Sequence, residues 1–564
     1  MPALLSIFLV TLGFAAVLAL PFRIPSDHPL NLLSFSVEAI GLLALLAVVP
    51  LLRDRWPVAA RHGVALLAGL IITLSLGDLM TRLALARPLN LYLDVTLLPS
   101  VVDLALGGLG PLRGILAVVA LVLLPVLAYG LALAAGAAAQ RLGRQPGGRV
   151  GAMIALALVA GLHLAQERQP DLFHRFWPSS TDIAMATTAQ WTQYRAVKAS
   201  EPLFRAAGRQ DALAGIAPED LLSALKDTDV LVAFIESYGE STLAPPYRPV
   251  IAQRLASFED SVSEAGLKAV SGWLVSSTSG GQSWLAHSSL LSGLTIDSQH
   301  LYDMLIGSER RTLAHYFAAA GHRTIDVQPA IVKPWPAGDF FGFDTIYQAG
   351  DLSYQGPAFG WVTMPDQYTL SHIERAERSE TDRAPLFAQF ALISSHAPFT
   401  PLAPLVDWDA IGEGAVFHGV EPVGLPSEDV WRDIELLRDH YIRSIDYTLA
   451  TLEGYAVRHV ATKAGRETLL ILVGDHQPLP LLAGDTASLA VPVHVISGDP
   501  ALLKPFREIG FTAGMMPNPA SPHLPMAAFR DFFVTAFSAG TGPVLARQER
   551  KTPGDMLDGR TRSN

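Results

Sequence analysis

Long apolar stretches in the first 166 residues constrain this chain more than any other feature of its sequence. This part contains no lysine, and five of its runs, rich in Leu, Ala, Val and Ile, are long enough to cross a membrane as helices. They cover about residues 3–20, 31–52, 64–86, 114–138 and 150–166. The sequence therefore predicts an N-terminal transmembrane domain of five helices over residues 1–166.

The first run resembles a signal peptide in length, but it lacks a basic amino-terminal region and another run follows closely. We therefore expect an uncleaved anchor. Arginines concentrated after the second and fourth runs place the amino terminus in the cytoplasm and the rest of the chain beyond residue 166 outside. The segment between the third and fourth runs mixes apolar, acidic and arginine residues, which indicates a partly interfacial stretch.

Two acidic residues, Glu38 and Asp78, lie within or near these runs. An ionisable group at that depth is costly and is a functional hypothesis by default. The alternative is a hydrogen bond that ties the helices together, or a position at the membrane surface.

The overall composition excludes some functions. The net charge of −11 and the pI of about 5.8 argue against general nucleic-acid binding, since a surface that follows phosphates needs a basic excess. The chain has no cysteine, so neither disulfides nor thiolate metal sites are available. Half of the residues are hydrophobic and the mean hydropathy is +0.32, as expected for a membrane protein.

Beyond the apolar part, the composition predicts a juxtamembrane connector over 167–227, an extracytoplasmic domain over 228–545 and a disordered tail over 546–564. Six short apolar runs in the domain alternate with helical patterns. These runs are "DVLVAFIES", "LKAVSGWLVSS", "HRTIDVQ", "LFAQFALISS", "ETLLILVGD" and "LAVPVHVISGD". Such alternation predicts an α/β domain with a mostly parallel central sheet covered on both faces.

Polar residues follow four of these runs. Glu236 ends the first run, Thr278 follows the second, His396 follows the fourth, and Asp475 with His476 ends the fifth. In open α/β sheets the ligand lies beyond the carboxyl ends of the strands, so we expect these side chains to converge. Two carboxylates, an imidazole and a hydroxyl suit a divalent cation, which would also help Thr278 to lose its proton.

The stretch "STSGGQSWLAHSSLL" around Thr278 has two interpretations. It is either a solvated loop that ends a strand or a turn whose glycines and following helix present backbone N–H groups to a phosphate. The nearby His287, and His440 and Asp446 on a later helix, are more typical of packing or surface positions than of ligands.

Together, the five runs and the motifs "FIESYGES", "STSGGQSW", "SSHAPF" and "VGDHQP" resemble the sulfatase-like branch of the alkaline phosphatase superfamily, most closely the lipoteichoic acid synthase and phosphoglycerol transferase group. The resemblance implies one Mn²⁺ or Mg²⁺ ion, with Zn²⁺ as an alternative, held by Glu236, Thr278, Asp475 and His476. It also implies Thr278 as covalent nucleophile and His396 near the substrate.

The chain departs from that group in the stretch "VQPAIVKPWPAGDFFGFD". Gln328 stands where the group has a histidine and Ala337 where it has an arginine, whereas Trp335 is kept. Loss of a phosphate-clamping arginine weakens the glycerol-phosphate assignment, unless Lys333 or Arg323 replaces it. We expect His396, Trp335, Gln328 and Lys333 to contact substrate. The sulfatase nucleophile motif is absent from the sequence, so sulfate ester cleavage is not expected.

The leading hypothesis is a multi-pass protein of the cytoplasmic membrane. It would move a phosphoglycerol-type headgroup from a membrane phospholipid, through Thr278, to an envelope glycan or lipid acceptor. The alternatives are a phosphodiesterase or phosphatase with the same residues, a phosphoethanolamine transferase, and a catalytically silent domain that binds lipid or glycan. The absence of cysteine disfavours the phosphoethanolamine version, whose members typically carry disulfides.

Overall fold

The computed structural model describes residues 35–36, 58–85, 87–99, 101–102, 111–169, 179–180, 182–461, 466–484 and 488–540. The first predicted span, most of the second with Glu38, and the tail after residue 545 lie outside these residues. The chain divides into two compact units, Met1–Ser200 and Glu201–Asn564. The predicted domain boundaries at 166 and 227 stay predictions.

The first unit is helical in most of its described part. Its helices are α1 Val58–Leu85, α2 Leu91–Asp94, α3 Pro111–Gly143 and α4 Pro146–Arg168, and α5 Asp182–Arg209 begins in it. A two-residue strand, Phe35–Ser36, pairs in parallel with Ser179–Ser180. These two residues of the predicted second span are therefore extended rather than helical.

Among the described residues, two helices are long and apolar enough to cross a membrane: Arg61–Leu85 and Gly114–Arg141. They coincide with the third and fourth predicted spans. The fifth predicted span coincides with α4, and its place in a membrane stays a prediction. Helices α1 and α3 pack through small side chains, and a Cβ on Gly69 would lie 3.0 Å from the Tyr129 backbone nitrogen. Such small residues allow close helix approach in lipid.

Asp78 of α1 has hydrogen-bond donors on both carboxylate oxygens. Oδ2 accepts from Arg82 Nε at 2.7 Å, and Oδ1 accepts from the Leu89 backbone N–H at 2.7 Å. These contacts agree with a structural role for Asp78, in which its carboxylate fixes the turn that follows α1.

The second unit contains a nine-stranded sheet within the residues described there. Its strands are β1 Thr228–Ile235, β2 Lys268–Val275, β3 Arg323–Gln328, β4 Thr345–Gln348, β5 Leu386–Leu392, β6 Glu467–Gly474, β7 Ala490–Ser497, β8 Thr512–Ala513 and β9 His523–Pro525. The order is β8-β2-β7-β6-β1-β5-β3-β4, and β9 pairs with β2. All six predicted runs are strands.

The sheet is mixed rather than uniformly parallel. Strands β6, β1, β5, β3 and β4 pair in parallel, whereas β7 runs antiparallel to both β6 and β2. The direction of β7 could not be predicted, because a strand buried on both faces has the same apolar composition in either direction.

Helices cover both faces of this sheet. They are α6 Arg248–Glu264, α7 Ser283–Ser292, α8 Gln299–Ile306, α9 Leu313–Ala319, α10 Asp366–Glu377, α11 Ser427–Val430, α12 Ile434–Tyr455, α13 Pro480–Ala483, α14 Pro500–Glu508 and α15 Phe529–Phe537. Side chains of β1 alternate between the two cores: Leu231 packs with α6, α10 and α12, and Val232 packs with α7, α9 and α15. The carboxyl ends of the central strands remain available for a site.

Candidate metal centre

Three predicted ligands meet at the carboxyl ends of β1 and β6. Because Ile235 of β1 pairs with Gly474 of β6, Glu236 after one strand adjoins Asp475 and His476 after the other. One ligand atom from each of the three side chains lies within 4.8 Å of the others. Nε2 of His476 is 3.2 Å from Glu236 Oε1 and 3.4 Å from Asp475 Oδ2.

All three side chains are buried, and their charges act strongly on one another. Burial raises the pKa of Asp475, and the neighbouring Glu236 carboxylate raises it further. Burial opposes the charged form of His476, but Asp475 and Glu236 outweigh it and raise the pKa of His476 to about 9. Burial would likewise raise the pKa of Glu236, but the His476 charge outweighs it and lowers that pKa. The cluster therefore favours positive charge at its centre.

The cluster fits a divalent cation on two further observations. Asp475 Oδ2 is buried and makes no hydrogen bond. His476 Nδ1 lies 2.7 Å from the Gln477 carbonyl oxygen, so an N–H there donates to it, and a cation that displaces the Nε2 proton would meet the Nε2 lone pair between the two carboxylates. Two carboxylates and an imidazole nitrogen match the ligand preferences of Mn²⁺, Mg²⁺ and Zn²⁺ to different degrees, with Mg²⁺ preferring oxygen alone.

The loops after β1 and β6 hold these ligands together. Asp475 Oδ1 accepts from the backbone N–H groups of Ser237 and His476, at 2.8 and 2.6 Å. Gln477 Oε1 accepts from the Ser241 N–H at 3.2 Å, and a Cβ on Gly239 would lie only 2.1 Å from that oxygen. A glycine is therefore needed at 239 while glutamine occupies 477.

The hydroxyl-rich turn lies against the same loop. Ser276 Oγ donates to the Asp475 carbonyl oxygen at 2.5 Å, and the Gly280 N–H donates to the Gln477 carbonyl oxygen at 2.9 Å. The Thr278 hydroxyl donates to the Gly281 carbonyl oxygen at 2.9 Å. The predicted ligand and nucleophile roles of Thr278 stay predictions.

Two serine hydroxyls contact the cluster directly, and the sequence reasoning missed both. Ser237 Oγ donates to Glu236 Oε1 at 3.1 Å, and Ser283 on the turn reaches two of the ligands. Its Oγ lies 2.9 Å from Glu236 Oε2 and 3.2 Å from His476 Nε2. Ser283 is the first residue of α7, directly after the two glycines of the turn and Gln282. A hydroxyl at the start of a helix after such a turn was the available signal, because the helix amino terminus attracts an anion.

The chain is similar to several solved transferase domains. Lipoteichoic acid synthase LtaP from Listeria monocytogenes is 12% identical with a TM-score of 0.34, covering 50% of this chain and 69% of that one. The periplasmic domain of phosphoethanolamine transferase EptC from Campylobacter jejuni is 12% identical with a TM-score of 0.35, covering 55% and 88%. Phosphoglycerol transferase GacH from Streptococcus pyogenes is 14% identical with a TM-score of 0.32, covering 51% and 77%.

The names of LtaP and GacH are those of the group that the sequence motifs resemble, whereas EptC is a phosphoethanolamine transferase. No protein-family model and no curated protein matches the chain. A functional assignment at the level of substrate and mechanism therefore rests on the residues of this chain.

Of the four predicted substrate contacts, His396 is the one whose contacts and charge link it to the cluster among the described residues. His396 stacks on Trp361 with ring centroids 3.8 Å apart, and its charge acts on Glu236. Ser395 Oγ donates to the Glu236 carbonyl oxygen at 2.7 Å, which ties the His396 loop to the cluster. Trp335 packs against Phe341 at 5.8 Å. Lys333 is exposed.

Gln328 ends β3, and the amide nitrogen of its side chain is hydrogen-bonded within the protein. Nε2 donates to both carboxylate oxygens of Asp326, at 3.0 and 3.2 Å. Burial raises the pKa of Asp326 to about 7. Arg323 begins the same strand at its other end and forms a bidentate pair with Glu377, so it does not replace the missing arginine. Whether Gln328 touches substrate stays a prediction.

His287 has the packing contact expected of it, whereas His440, expected at a surface position, is buried. His287 stacks on Phe234 with ring centroids 4.0 Å apart, and burial lowers its pKa to about 4. His440 Nε2 accepts from the Leu425 N–H at 3.1 Å, and Asp446 pairs with Arg254.

Proposed function

We propose that this chain is a membrane-anchored, metal-dependent phosphoester transferase. Its donor would be a membrane phospholipid with a phosphoglycerol-type headgroup, and its acceptor an envelope glycan or lipid outside the cytoplasmic membrane. The observation that carries the proposal is the Ser283 hydroxyl in contact with the buried Glu236 and His476 side chains. Metal coordination is one of the ways in which proteins activate a hydroxyl as a nucleophile, and Ser283 contacts two of the proposed metal ligands.

A divalent cation held by Glu236, Asp475 and His476 would stabilise the deprotonated form of a neighbouring hydroxyl. We favour Ser283 as that hydroxyl and keep the predicted Thr278 as the alternative, since both lie on the same turn. In the free protein the Ser283 O–H donates to Glu236 Oε2, so this carboxylate orients the nucleophile.

Transfer would proceed in two balanced steps. Ser283 loses its proton to solvent as Oγ attacks the donor phosphorus, and the bond from phosphorus to the diacylglycerol oxygen breaks. That oxygen takes up a proton and leaves as diacylglycerol, and His396 on the adjoining loop is the proposed donor of the proton. The acceptor hydroxyl then attacks the phosphorus, and its proton passes to the departing Ser283 oxygen, which restores the Ser283 hydroxyl.

The test is the intact mass of the full-length protein after incubation with Mn²⁺ and either phosphatidylglycerol or phosphatidylethanolamine. We expect a phosphoglycerol adduct in the wild type and none in Ser283→Ala, whose lipid turnover should fall by about 10³-fold or more. Thr278→Ala is the matched control, because it removes the other hydroxyl of the same turn.

If Ser283→Ala keeps the adduct and Thr278→Ala loses it, the nucleophile is Thr278. A phosphoethanolamine adduct alone would change the headgroup assignment. Full turnover in both variants would contradict a covalent hydroxyl intermediate altogether.

A further inference from the structure

The segment 91–99 after helix α1 has its polar and apolar sides reversed relative to a water-soluble protein. Leu91, Val95 and Leu98 are 39%, 57% and 50% exposed, whereas Asn90 and Asp94 are each only 8% exposed. Leu91, Val95 and Leu98 are spaced at i, i+4 and i+7 along a helical segment, so they share one face. In water this arrangement would leave an apolar stripe unprotected while polar groups are buried.

The buried polar side of the segment is fully engaged. Arg87 donates to both carboxylate oxygens of Asp94, at 3.0 and 2.6 Å, and the Asn90 N–H donates to Asp94 Oδ2 at 2.7 Å. Asn90 Oδ1 in turn accepts from the backbone N–H groups of Tyr92 and Leu93. These contacts fix the orientation of the segment, so the exposed apolar face is a property of its folded state.

Helix α5 holds the segment from a second side. Gln190 donates to the Leu89 carbonyl oxygen at 2.5 Å and accepts from the Leu91 N–H at 2.9 Å. Tyr194 of the same helix packs edge-on against Tyr92 at 5.3 Å. Next to it stands Trp191, which is 61% exposed.

Continuity with a candidate membrane span indicates what covers this face. Only five residues separate the end of the apolar helix Arg61–Leu85 from Leu91. Tryptophan and tyrosine concentrate at the level of lipid headgroups, and apolar helical faces next to them lie in the boundary between headgroups and acyl chains. A lipid bilayer would therefore solvate Leu91, Val95 and Leu98, and the headgroups would solvate the Trp191 indole N–H.

We propose that residues 91–99 and Trp191 form a bilayer-contact surface in the leaflet at the carboxyl end of α1. The partner is the lipid surface itself rather than another protein. This inference does not depend on the proposed transferase activity.

The absence of cysteine from the chain permits a direct test. Single cysteines are introduced as Val95→Cys and Leu98→Cys in the full-length protein, labelled with a nitroxide and reconstituted into phosphatidylglycerol–phosphatidylethanolamine vesicles. Collision of each label with oxygen, which partitions into lipid, is compared with collision with a water-soluble nickel complex. Val332→Cys, at a 70% exposed position of the second unit, is the water reference, and Leu127→Cys, at a 67% exposed position of α3, is the lipid reference.

We expect the oxygen-to-nickel ratio at 95 and 98 to exceed that at 332 severalfold and to fall below that at 127. Nickel access at 95 equal to that at 332 would overturn the proposal, because the face would lie in water. Low access to both reagents would also overturn it, since a protein surface such as a second copy would then cover the face. Access of the nickel complex to the label at 127 would show that α3 does not lie in the membrane, and this result would also overturn the proposal.

Discussion

Two buried aspartates at opposite ends of neighbouring strands face different electrostatic surroundings. Asp229 lies in β1, at the amino-terminal end of the sheet, and Asp475 follows β6, at the carboxyl end. Both are at most 1% exposed. The first is neutralised by groups of the protein, whereas the second lies beside another carboxylate.

Asp229 is surrounded by donors. It accepts from Arg378 Nε at 3.0 Å, from Arg383 Nη1 at 2.9 Å and from the Leu386 N–H at 2.9 Å. Burial alone would raise the pKa of Asp229, but the Arg383 hydrogen bond and the two guanidinium charges outweigh it and lower the pKa. Both oxygens of the Asp229 carboxylate accept hydrogen bonds, so its charge serves stability; we call this the saturated end of the sheet.

Asp475 has one oxygen that accepts hydrogen bonds and one that accepts none. Its pKa is raised, because it is buried and lies beside Glu236. Asp475 and Glu236 share the single imidazole of His476, whereas two guanidinium groups surround the single carboxylate of Asp229. The difference between the two ends shows how a buried carboxylate indicates a ligand site: the informative property is an excess of carboxylates over cations, not burial itself.

The largest loss of stability is expected when Asp229, at the amino-terminal end of the sheet, is substituted. Asp229→Asn should lower the free energy of unfolding by about 3 kcal/mol, because the partly buried Arg383 loses its carboxylate and the buried Arg378 keeps only the Glu374 carboxylate. Thermal unfolding of the full-length protein in detergent measures it. Asp446→Asn is the control, since its partner Arg254 is partly exposed and the loss should stay below about 1 kcal/mol.

The same substitution has a pH signature. A lowered native pKa means that the Asp229 contribution is complete above about pH 4 and is lost as the pH falls through the native pKa. The difference between wild type and Asp229→Asn should therefore shrink in acid. A difference that is constant with pH would show that the charge of Asp229 is not what stabilises this end.

The second prediction concerns stabilisation of the folded protein by Mn²⁺, which should depend on Asp475 and not on Asp229. Mn²⁺ at about one hundred times its Kd should stabilise the wild type by about 2.7 kcal/mol. Asp475→Asn should lose this increment, and Asp229→Asn should keep it despite its lower starting stability. Thermal unfolding of the two variants with and without Mn²⁺ measures this stabilisation. If Mn²⁺ raises the unfolding temperature of Asp475→Asn as much as that of the wild type, Asp475 is not a ligand.

The smallest effect on stability is expected from a hydrogen bond that holds the loop beside Asp475. Tyr441 donates to the Ser237 carbonyl oxygen at 2.9 Å, next to the N–H that holds Asp475. Tyr441→Phe should cost about 1 kcal/mol of stability and weaken Mn²⁺ binding in titration calorimetry. Tyr455→Phe, which removes a hydrogen bond to Glu374 at the amino end, should leave Mn²⁺ affinity unchanged. Equal affinities in the two variants would mean that this hydrogen bond does not position Asp475.

Much of this arrangement could be predicted because it depends on local patterns. Buried β-branched runs predicted six strands, and the rule that ligands lie at carboxyl ends brought Glu236, Asp475 and His476 together. The saturated end was missed, since Arg378 lies 149 residues from Asp229 and no local pattern joins them. Strands β4, β8 and β9 are too short to give an alternating pattern.

The sequence equally could not show which hydroxyl of the turn contacts Glu236. Thr278 follows the strand end directly and was the natural candidate, but the left-handed backbone at Gly280 and Gln282 turns the chain so that Ser283 contacts Glu236. Which hydroxyl faces the cluster depends on a few backbone angles, and residue type does not report them.

The contact between Gly239 and Gln477 joins two distant loops through their backbones. A Cβ on residue 239 would lie 2.1 Å from Gln477 Oε1 and 2.7 Å from the backbone Cα atom of Gln477, so shortening the side chain at 477 would not make room for it. Position 239 therefore accepts only glycine while the two loops keep this spacing. Libraries that reshape the loops around the candidate centre should hold residue 239 constant and vary its neighbours.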